Sequence, residues 1–447
     1  MRFSSFEEML RHYAQSTPDA PAIRYAADGK VQALSFAAFY DAVRSRAADL
    51  RAAGKTSLGV LCDGSLDCVT EIFAAVQAGL QLVLLNENAG PEHLARTDVD
   101  ALWGDAALTE ELAGALTAGV TDGKGRILFF TSGTTAKMKA VALTEQSLCS
   151  SAYNGGALLP LQPCDVLLCM LPLDHVFGFV CGLLWGLSCG ACVALGRGAR
   201  HYFDDCAFFQ PTALSAVPLL IGFLLQKNLL NPELRLVLIG AGDCSQKITT
   251  ALQMKGLRVS FGYGLTETSS GVALSLGDDP YAMTVCPDDK VTIADDGEIL
   301  IEAPTCCMTG YYKDQPATDA VLKNGVLHTG DLGRIDAHGL LHIEGRKKEI
   351  LVLADGTKLF LPEYEFSISA ALSGRDFAVV EDHGVPLLVV HGDESERGTV
   401  TAQLEPLMKH LPLGRRLRAI QFVCDPLPRT ATGKIKRWEL QQKVVTQ

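Results

Sequence analysis

Short apolar runs alternate with amphipathic stretches along most of the chain. In Phe3 to Ala14, the apolar residues Phe6, Met9, Leu10 and Tyr13 recur at helical spacing behind Ser4 and Ser5, either of which can cap a helix start. Pro18 and Pro21 end that helix, and a second is predicted within Leu34 to Ala53. From Leu58 the pattern changes: LGVLC and LQLVLLN are continuous apolar runs of strand length, and Val69 to Ala78 between them reads as helix. Strand, helix, strand in series predicts a parallel sheet. The alternation continues through VLLCMLPL, ACVALG, ALSAVPLLIGFLL and LRLVLIG, the last of which enters a turn at Gly240-Ala241-Gly242-Asp243. Toward the C-terminus, FAVVED and VPLLVVHGD predict strands paired around a turn, and Thr401 to Leu411 predicts a helix, giving a small α+β unit.

Composition narrows this picture. A chain of 447 residues buries a large core and divides into two or three domains. The formal charge of −12 argues against a general nucleic-acid or anionic-membrane surface. Fourteen cysteines are scattered through apolar segments with no secretion signal before them, which predicts reduced thiols in a cytoplasmic protein. Cys189 and Cys192 form a CxxC with no second pair at ligand spacing, so they read as a packed turn entering a strand. Val176 to Gly196 carries no charge and is long enough to span a bilayer, yet its glycines and the SCGAC break predict a buried helix, a turn and a buried strand, and hence no membrane span. Gly178, Gly182 and Gly186 recur every four residues and would share one smooth helical face.

Candidate chemistry concentrates in Ile127 to Leu143. Ile127 to Phe130 reads as a buried strand that stops abruptly at small turn-forming residues. Beyond it Thr131, Ser132, Thr134 and Thr135 offer hydroxyls, Gly133 lets the backbone approach an anion, and Lys137 and Lys139 supply charge. The P-loop of nucleotide triphosphatases is excluded, because no second glycine precedes a Lys-Ser/Thr pair. A plain turn and a phosphate cradle both satisfy this segment when it is taken alone.

The segment TSGTTAKMKAV resembles the phosphate loop of the adenylate-forming superfamily, which includes acyl-CoA synthetases, aryl-CoA ligases, luciferases and peptide-synthetase adenylation domains. Three further motifs of that superfamily follow in order: FGYGLTET from Phe261, HTGDLGRIDAHGLLHIEGRKKEI from His328, and PRTATGKIKRWEL from Pro428. The resemblance covers essentially the whole chain. It implies an α/β fold, with a large N-terminal domain of αβ-layered sheets over residues 1–346 and a small mobile α+β C-terminal domain over 347–447. By resemblance, Thr131, Ser132, Gly133, Thr134, Thr135 and Lys139 cradle phosphate, and Gly240, Ala241 and Gly242 contact adenine. Tyr263 and Gly264 belong to the same nucleotide site, with the Tyr263 ring stacked on the base. Thr266 contacts phosphate, Glu267 holds Mg²⁺, and Asp331 and Arg346 hold the ribose. Lys348 marks the hinge, Gly356 to Glu365 supplies the loop that enters the site for thioester formation, and Lys434 reaches the reacting phosphate.

The resemblance places His175 as a lid over the carboxylate site. The next position holds Asp in members that activate amino acids, and here it is Val176, so an uncharged acyl or aryl acid is expected. The glycine face serves either close helix packing or a groove for an extended acyl chain. Ala136, Met138 and Ala140 stand where the superfamily has Gly, Pro and Gly, which predicts weaker or slower use of ATP. The implied activity joins a carboxylic acid, with a medium- or long-chain fatty acid favoured, to CoA at the expense of ATP with Mg²⁺. Loading of an acyl carrier protein's phosphopantetheine is one alternative. A nucleotide-binding homologue without turnover is the other.

Overall fold

The structure is a computed structural model that describes residues 1–447 except 120–124, 132–137, 243–245, 353–357, 373, 383–384, 412–414, 418, 430–434 and 446–447. Of residues 348, 352, 358, 363, 438 and 445 it describes the backbone alone. The fold is α/β, as the alternating pattern requires. Helices Phe6–Ser16, Phe36–Ala52 and Leu66–Ala78 begin at Ser5, Ser35 and Ser65, whose side chains accept the first-turn amides of Glu8, Ala38 and Cys68. Such caps contribute about 1 kcal/mol each. The helix Leu66–Ala78 stops at Gly79, which takes the left-handed conformation.

Two sheets build the larger part of the molecule. One has six strands in the order Gly310–Tyr311, Lys139–Thr144, Arg126–Thr131, Gln81–Leu85, Ser57–Leu61 and Leu102–Trp103. The two apolar runs that flank the expected phosphate loop pair antiparallel within it, Thr131 opposite Lys139. The other sheet has fourteen strands, and its centre is parallel: Cys192–Leu195, Val166–Cys169, Ala213–Ala216, Leu236–Ile239 and Arg258–Leu265. All but the last of these are buried throughout, which explains their unbroken apolar runs. The run ALSAVPLLIGFLL divides at Pro218, where strand Ala213–Ala216 gives way to helix Pro218–Gln226 with the proline in its first turn.

The strand Arg258–Leu265 changes partners along its length. Its first half is parallel to Leu236–Ile239, and its second half is antiparallel to Ser270–Ser275. From there to Lys290–Ile293 the sheet is antiparallel. FGYGLTET occupies this switch, at the carboxyl ends of the parallel strands, where open α/β sheets bind ligands.

Val176 to Gly196 forms the buried helix, turn and strand that its breaks predict, with a π-helical stretch at Gly178–Leu184 leading into Trp185–Ser188 and then strand Cys192–Leu195. The glycine face proves to be a packing face. A β-carbon on Gly178 would lie 2.1 Å from the Pro172 carbonyl oxygen, and one on Gly186 would lie 2.7 Å from Val193. Among the described residues, no helix is long and apolar enough to cross a membrane.

Past Arg346 the chain forms smaller apolar clusters of its own. One joins Leu351, Leu359, Tyr364, Ile368, Val379, Leu388 and Leu404, while the main cluster ends its buried set at Leu341. Strands Phe377–Asp382 and Val385–His391 form the expected hairpin, and Ala419–Val423 adds in parallel. Helix Arg397–His410 contains the predicted Thr401 segment.

Candidate functional site

The local geometry of FGYGLTET depends on one glycine. A β-carbon on Gly264 would lie 1.6 Å from the Ser270 carbonyl oxygen, so only glycine lets the two antiparallel strands close here. Thr266–Thr268 then forms a single 3₁₀ turn, and Ser269 and Ser270 follow with φ of 52° and 96°. Non-glycine residues in that region are strained, and the strain is held by the surroundings. Ser269 Oγ donates to the Cys306 carbonyl at 2.7 Å, and Thr268 Oγ1 accepts the Leu265 amide at 3.0 Å.

Residues from separate motifs meet at Asp331. The strands Val326–Ile335 and Leu341–Arg346 pair so that Asp331 stands opposite Arg346. Arg346 Nε lies 2.7 Å from Asp331 Oδ1, and the Tyr263 hydroxyl donates to Asp331 Oδ2 at 2.9 Å. The residue is 3% exposed, and its burial is compensated by these two partners. Burial and the Asp331 carboxylate hold the Tyr263 hydroxyl well above its ordinary range, so it stays a donor.

A second cluster forms around Glu267. Its Oε1 accepts from the Tyr311 hydroxyl at 2.7 Å, and the Lys139 ammonium lies 4.2 Å from the centre of the Tyr311 ring. Tyr311 sits on the edge strand that pairs with Lys139–Thr144, opposite Val141, so the expected metal carboxylate and the expected phosphate lysine share one neighbour. Sequence reasoning missed Tyr311. Glu298 was missed as well: it accepts the Gly330 amide at 2.8 Å, approaches His328 Nδ1 at 3.2 Å and pairs with Lys347 at 2.8 Å. A β-strand carboxylate of this kind has no local signature, because its partners lie about thirty and fifty positions away.

His175 is partly exposed beside Asp174, 4.0 Å from its Oδ2, and Asp174 in turn accepts from Asn86 Nδ2 at 2.8 Å. The ring of Phe177 covers Gly240, where a β-carbon would lie 2.8 Å from it, and Ala241 follows with φ of 62°. The strand exit at Gly240 and the His175 turn are therefore adjacent. Gly242 lies at the same turn, where a β-carbon would make ordinary contact with Pro218 at 3.5 Å. Thr131 ends its strand facing Lys139. Ser132, Gly133, Thr134, Thr135 and Lys434 lie outside the described residues, and Lys348 is placed in the Lys347–Glu349 turn by its backbone. On either side of residues 430–434, Arg429 bridges to Ile435.

The Glu267 carboxylate suits a magnesium ion. It is an oxygen donor whose Oε2 has no protein partner among the described residues, beside segments expected to hold phosphate. No group of three or more His, Cys, Asp or Glu able to hold a metal occurs among the described residues.

A family model described as AMP-binding enzyme matches residues 117–312. A probable CoA ligase of Humulus lupulus is 30% identical over 353 residues, which are 70% of this chain and 64% of that protein. The 2-succinylbenzoate–CoA ligase of Bacillus subtilis is 28% identical over 97% of both chains. Among solved structures, the O-succinylbenzoate coenzyme A synthetase of Bacillus subtilis with AMP superposes with a TM-score of 0.83 at 24% identity, covering 97% of this chain and 98% of that one. ATP-bound MatB of Rhodopseudomonas palustris gives 0.82 at 21% identity, covering 100% and 99%. At these identities the superpositions establish the fold, and the family model and the sequence relatives agree with it. The AMP-binding family model and the CoA ligase relatives support an adenylate-forming enzyme of the acyl-CoA synthetase type.

Proposed function

We propose that the protein activates a carboxylic acid with ATP and magnesium and transfers the acyl group to CoA. The observation that carries this reading is the meeting of Tyr263, from one motif, with Asp331 and Arg346, from another, on one buried carboxylate at the sheet's partner switch. In the first step an acid oxygen attacks the α-phosphorus, and the bond to pyrophosphate breaks. In the second the CoA sulfur attacks the acyl carbon, AMP leaves on its phosphate oxygen, and the thiol proton passes to solvent. Asp331 accepts the ribose hydroxyls, Tyr263 lends its ring to adenine, and Gly240 to Gly242 line the base. Thr266, the segment 131–137 and Lys139 hold phosphate, and Glu267 holds magnesium, which when bound offsets phosphate charge. Lys434 adds positive charge at the reacting phosphate, and His175 gates the acid.

The chain divides in this reading into residues 1–346, which bind ATP and acid, and 347–447, which move about Lys348. Separate apolar clusters on the two sides support that division. Val176 offers no counter-charge for an ammonium, so the acid is not an amino acid. Fatty, aryl and keto acids all meet that condition. The described cysteines are all free thiols, which suits the cytoplasm.

Acid-dependent exchange of pyrophosphate into ATP tests the first step, and thioester formation with CoA or with a carrier protein's phosphopantetheine identifies the thiol. Asp331→Ala is expected to raise the KM for ATP by tenfold or more, the loss of about 1.5–3 kcal/mol from a charge-assisted bond. An unchanged KM counts against the ribose assignment. Nucleotide binding without exchange for any acid would make the protein a non-catalytic homologue.

A further inference from the structure

Helix Pro218–Gln226, PLLIGFLLQ, carries no charge on any face, yet of its side chains only Ile221 and Leu224 are buried. A helix apolar all round is ordinarily enclosed. Here Leu219 is 77% exposed, and Phe223, four positions on, is its neighbour along the same face. The Phe223 ring meets Phe203, itself 52% exposed, edge to face with ring centres 5.1 Å apart. Leu219, Phe223 and Phe203 make one apolar ridge. Helix Gln246–Met254 packs beside it, since a β-carbon on Gly222 would lie 3.0 Å from Ile248.

The charge around this ridge is mainly basic. Lys227 follows the helix's last turn, four positions beyond Phe223, and Lys247 precedes Ile248 on the neighbouring helix. Lys255 Nζ donates to Asn228 Oδ1 at 3.2 Å, and Arg200 lies in the 3₁₀ turn Ala199–His201 that leads to Phe203. All four cations are exposed, and none has a carboxylate partner among the described residues. Of the acids nearby, Asp204 beside Phe203 is held by Arg197 at 2.8 Å, and Asp278 lies past helix Gln246–Met254, where its carbonyl accepts from Gln253. Glu233 is exposed beyond the end of helix Pro218–Gln226. Residues 217–232 and 246–258 contain no acid at all, in a chain whose formal charge is −12.

We propose that this ridge docks the protein peripherally on an anionic lipid surface, with Leu219, Phe223 and Phe203 entering the acyl boundary and Lys227, Lys247, Lys255 and Arg200 meeting the headgroups. An acidic protein would answer the same charges but would need a cleft shaped to take Leu219, whereas a fluid bilayer accommodates a protruding side chain of any shape. A second copy meeting this face with its own would set cations against cations. Pro218, at the start of the docking helix, adjoins Gly242, whose β-carbon would lie 3.5 Å from it, so the docked face borders the turn assigned to adenine. The proposal is independent of the ligase reading.

The test is cosedimentation of the full chain with vesicles of phosphatidylcholine, with and without phosphatidylglycerol, at low and high salt. The expected result is binding to the phosphatidylglycerol vesicles that weakens as salt rises, and little binding to phosphatidylcholine alone. Leu219→Glu changes an exposed side chain, so the fold survives, and it is expected to weaken vesicle binding by about tenfold with the melting temperature unchanged. Lys227→Glu combined with Lys247→Glu is expected to lower binding to a similar extent and to flatten its salt dependence. Val31→Glu, at an exposed apolar residue of the N-terminal hairpin, is the control and should bind as the parent does. No binding to phosphatidylglycerol vesicles, or binding that Leu219→Glu leaves intact, overturns the proposal. A dimer in solution that Leu219→Glu dissolves, without vesicle binding, overturns it in favour of a contact between copies. Pyrophosphate exchange is measured without vesicles, so the ligase reading stands or falls separately.

Discussion

At the scale of single residues, the instructive contact is the one between Tyr311 and Glu267. A carboxylate on a one-turn 3₁₀ segment is loosely held by its own backbone, and the Tyr311 hydroxyl, 2.7 Å from Oε1, fixes its rotamer while leaving Oε2 without a protein partner among the described residues. The same ring lies under the Lys139 ammonium, a cation–π contact at 4.2 Å. Tyr311→Phe keeps the ring and removes the hydroxyl. It is expected to raise the magnesium concentration needed for nucleotide binding several-fold, measured by titration calorimetry with ATP over a magnesium series, with little change in thermal stability. An unaltered magnesium requirement would show that the Glu267 rotamer is fixed by other contacts. Asp331 differs in being legible from its motif, because its role depends on a short local pattern, TGD. The part played by Tyr311 depends on an edge strand pairing with a hairpin about 170 residues earlier, and no local pattern announces that.

At the scale of elements, period and punctuation predicted well where burial was uniform. The strands Val166–Cys169, Cys192–Leu195 and Leu236–Ile239 are buried on both faces, and their apolar runs end where the strands end. The N-terminal hairpin Pro21–Ala27 with Lys30–Ser35 gave no such signal, since its second strand is largely exposed and it joins the large sheet only through its first. The glycine repeat left packing and groove both open in the sequence, and the close approaches of Gly178 to Pro172 and of Gly186 to Val193 decide for packing at those two positions. The strand Glu298–Glu302 was also silent, yet its first residue ties the hinge approach to the nucleotide strand by holding Lys347 and the Gly330 amide together. Burial raises the Glu298 carboxyl, but Lys347, the Gly330 amide and His328 more than offset it, leaving it below its ordinary value. A carboxyl lowered in the folded state contributes stability above its unfolded value, and that contribution is lost as pH falls through the folded one. Glu298→Gln is therefore expected to cost about 1–2 kcal/mol at pH 7 and progressively less below pH 4, measured by denaturant melts. A cost independent of pH would mean that the charge on Glu298 is not what joins the two strands.

At the scale of the whole molecule, the proposed two-body division would give the lysines at 348 and 434 separate tasks. The apolar clusters on either side of the Lys347–Glu349 turn do not mix, and Lys347 is anchored on the larger body by Asp296 and Glu298. With Lys347 held, rotation of the smaller body begins at the next residue, the position expected for the hinge. On the proposed reading, Lys434 serves the α-phosphate in one orientation of that body, and the segment following the hinge serves thioester formation in the other. Lys434 is then needed only in the first step, and Lys434→Ala is expected to depress adenylation by about 10²–10³, the size of losing one preorganised charge-stabilising donor. Thioester formation from supplied acyl-adenylate should survive in that variant. Lys348→Pro should show the opposite bias, because a proline ring fixes φ where the rotation must occur. Each half-reaction is measured in each variant, with folding confirmed by melting. Equal loss of both steps in Lys434→Ala would make Lys434 a structural residue and would remove the reason to assign two working orientations to residues 347–447.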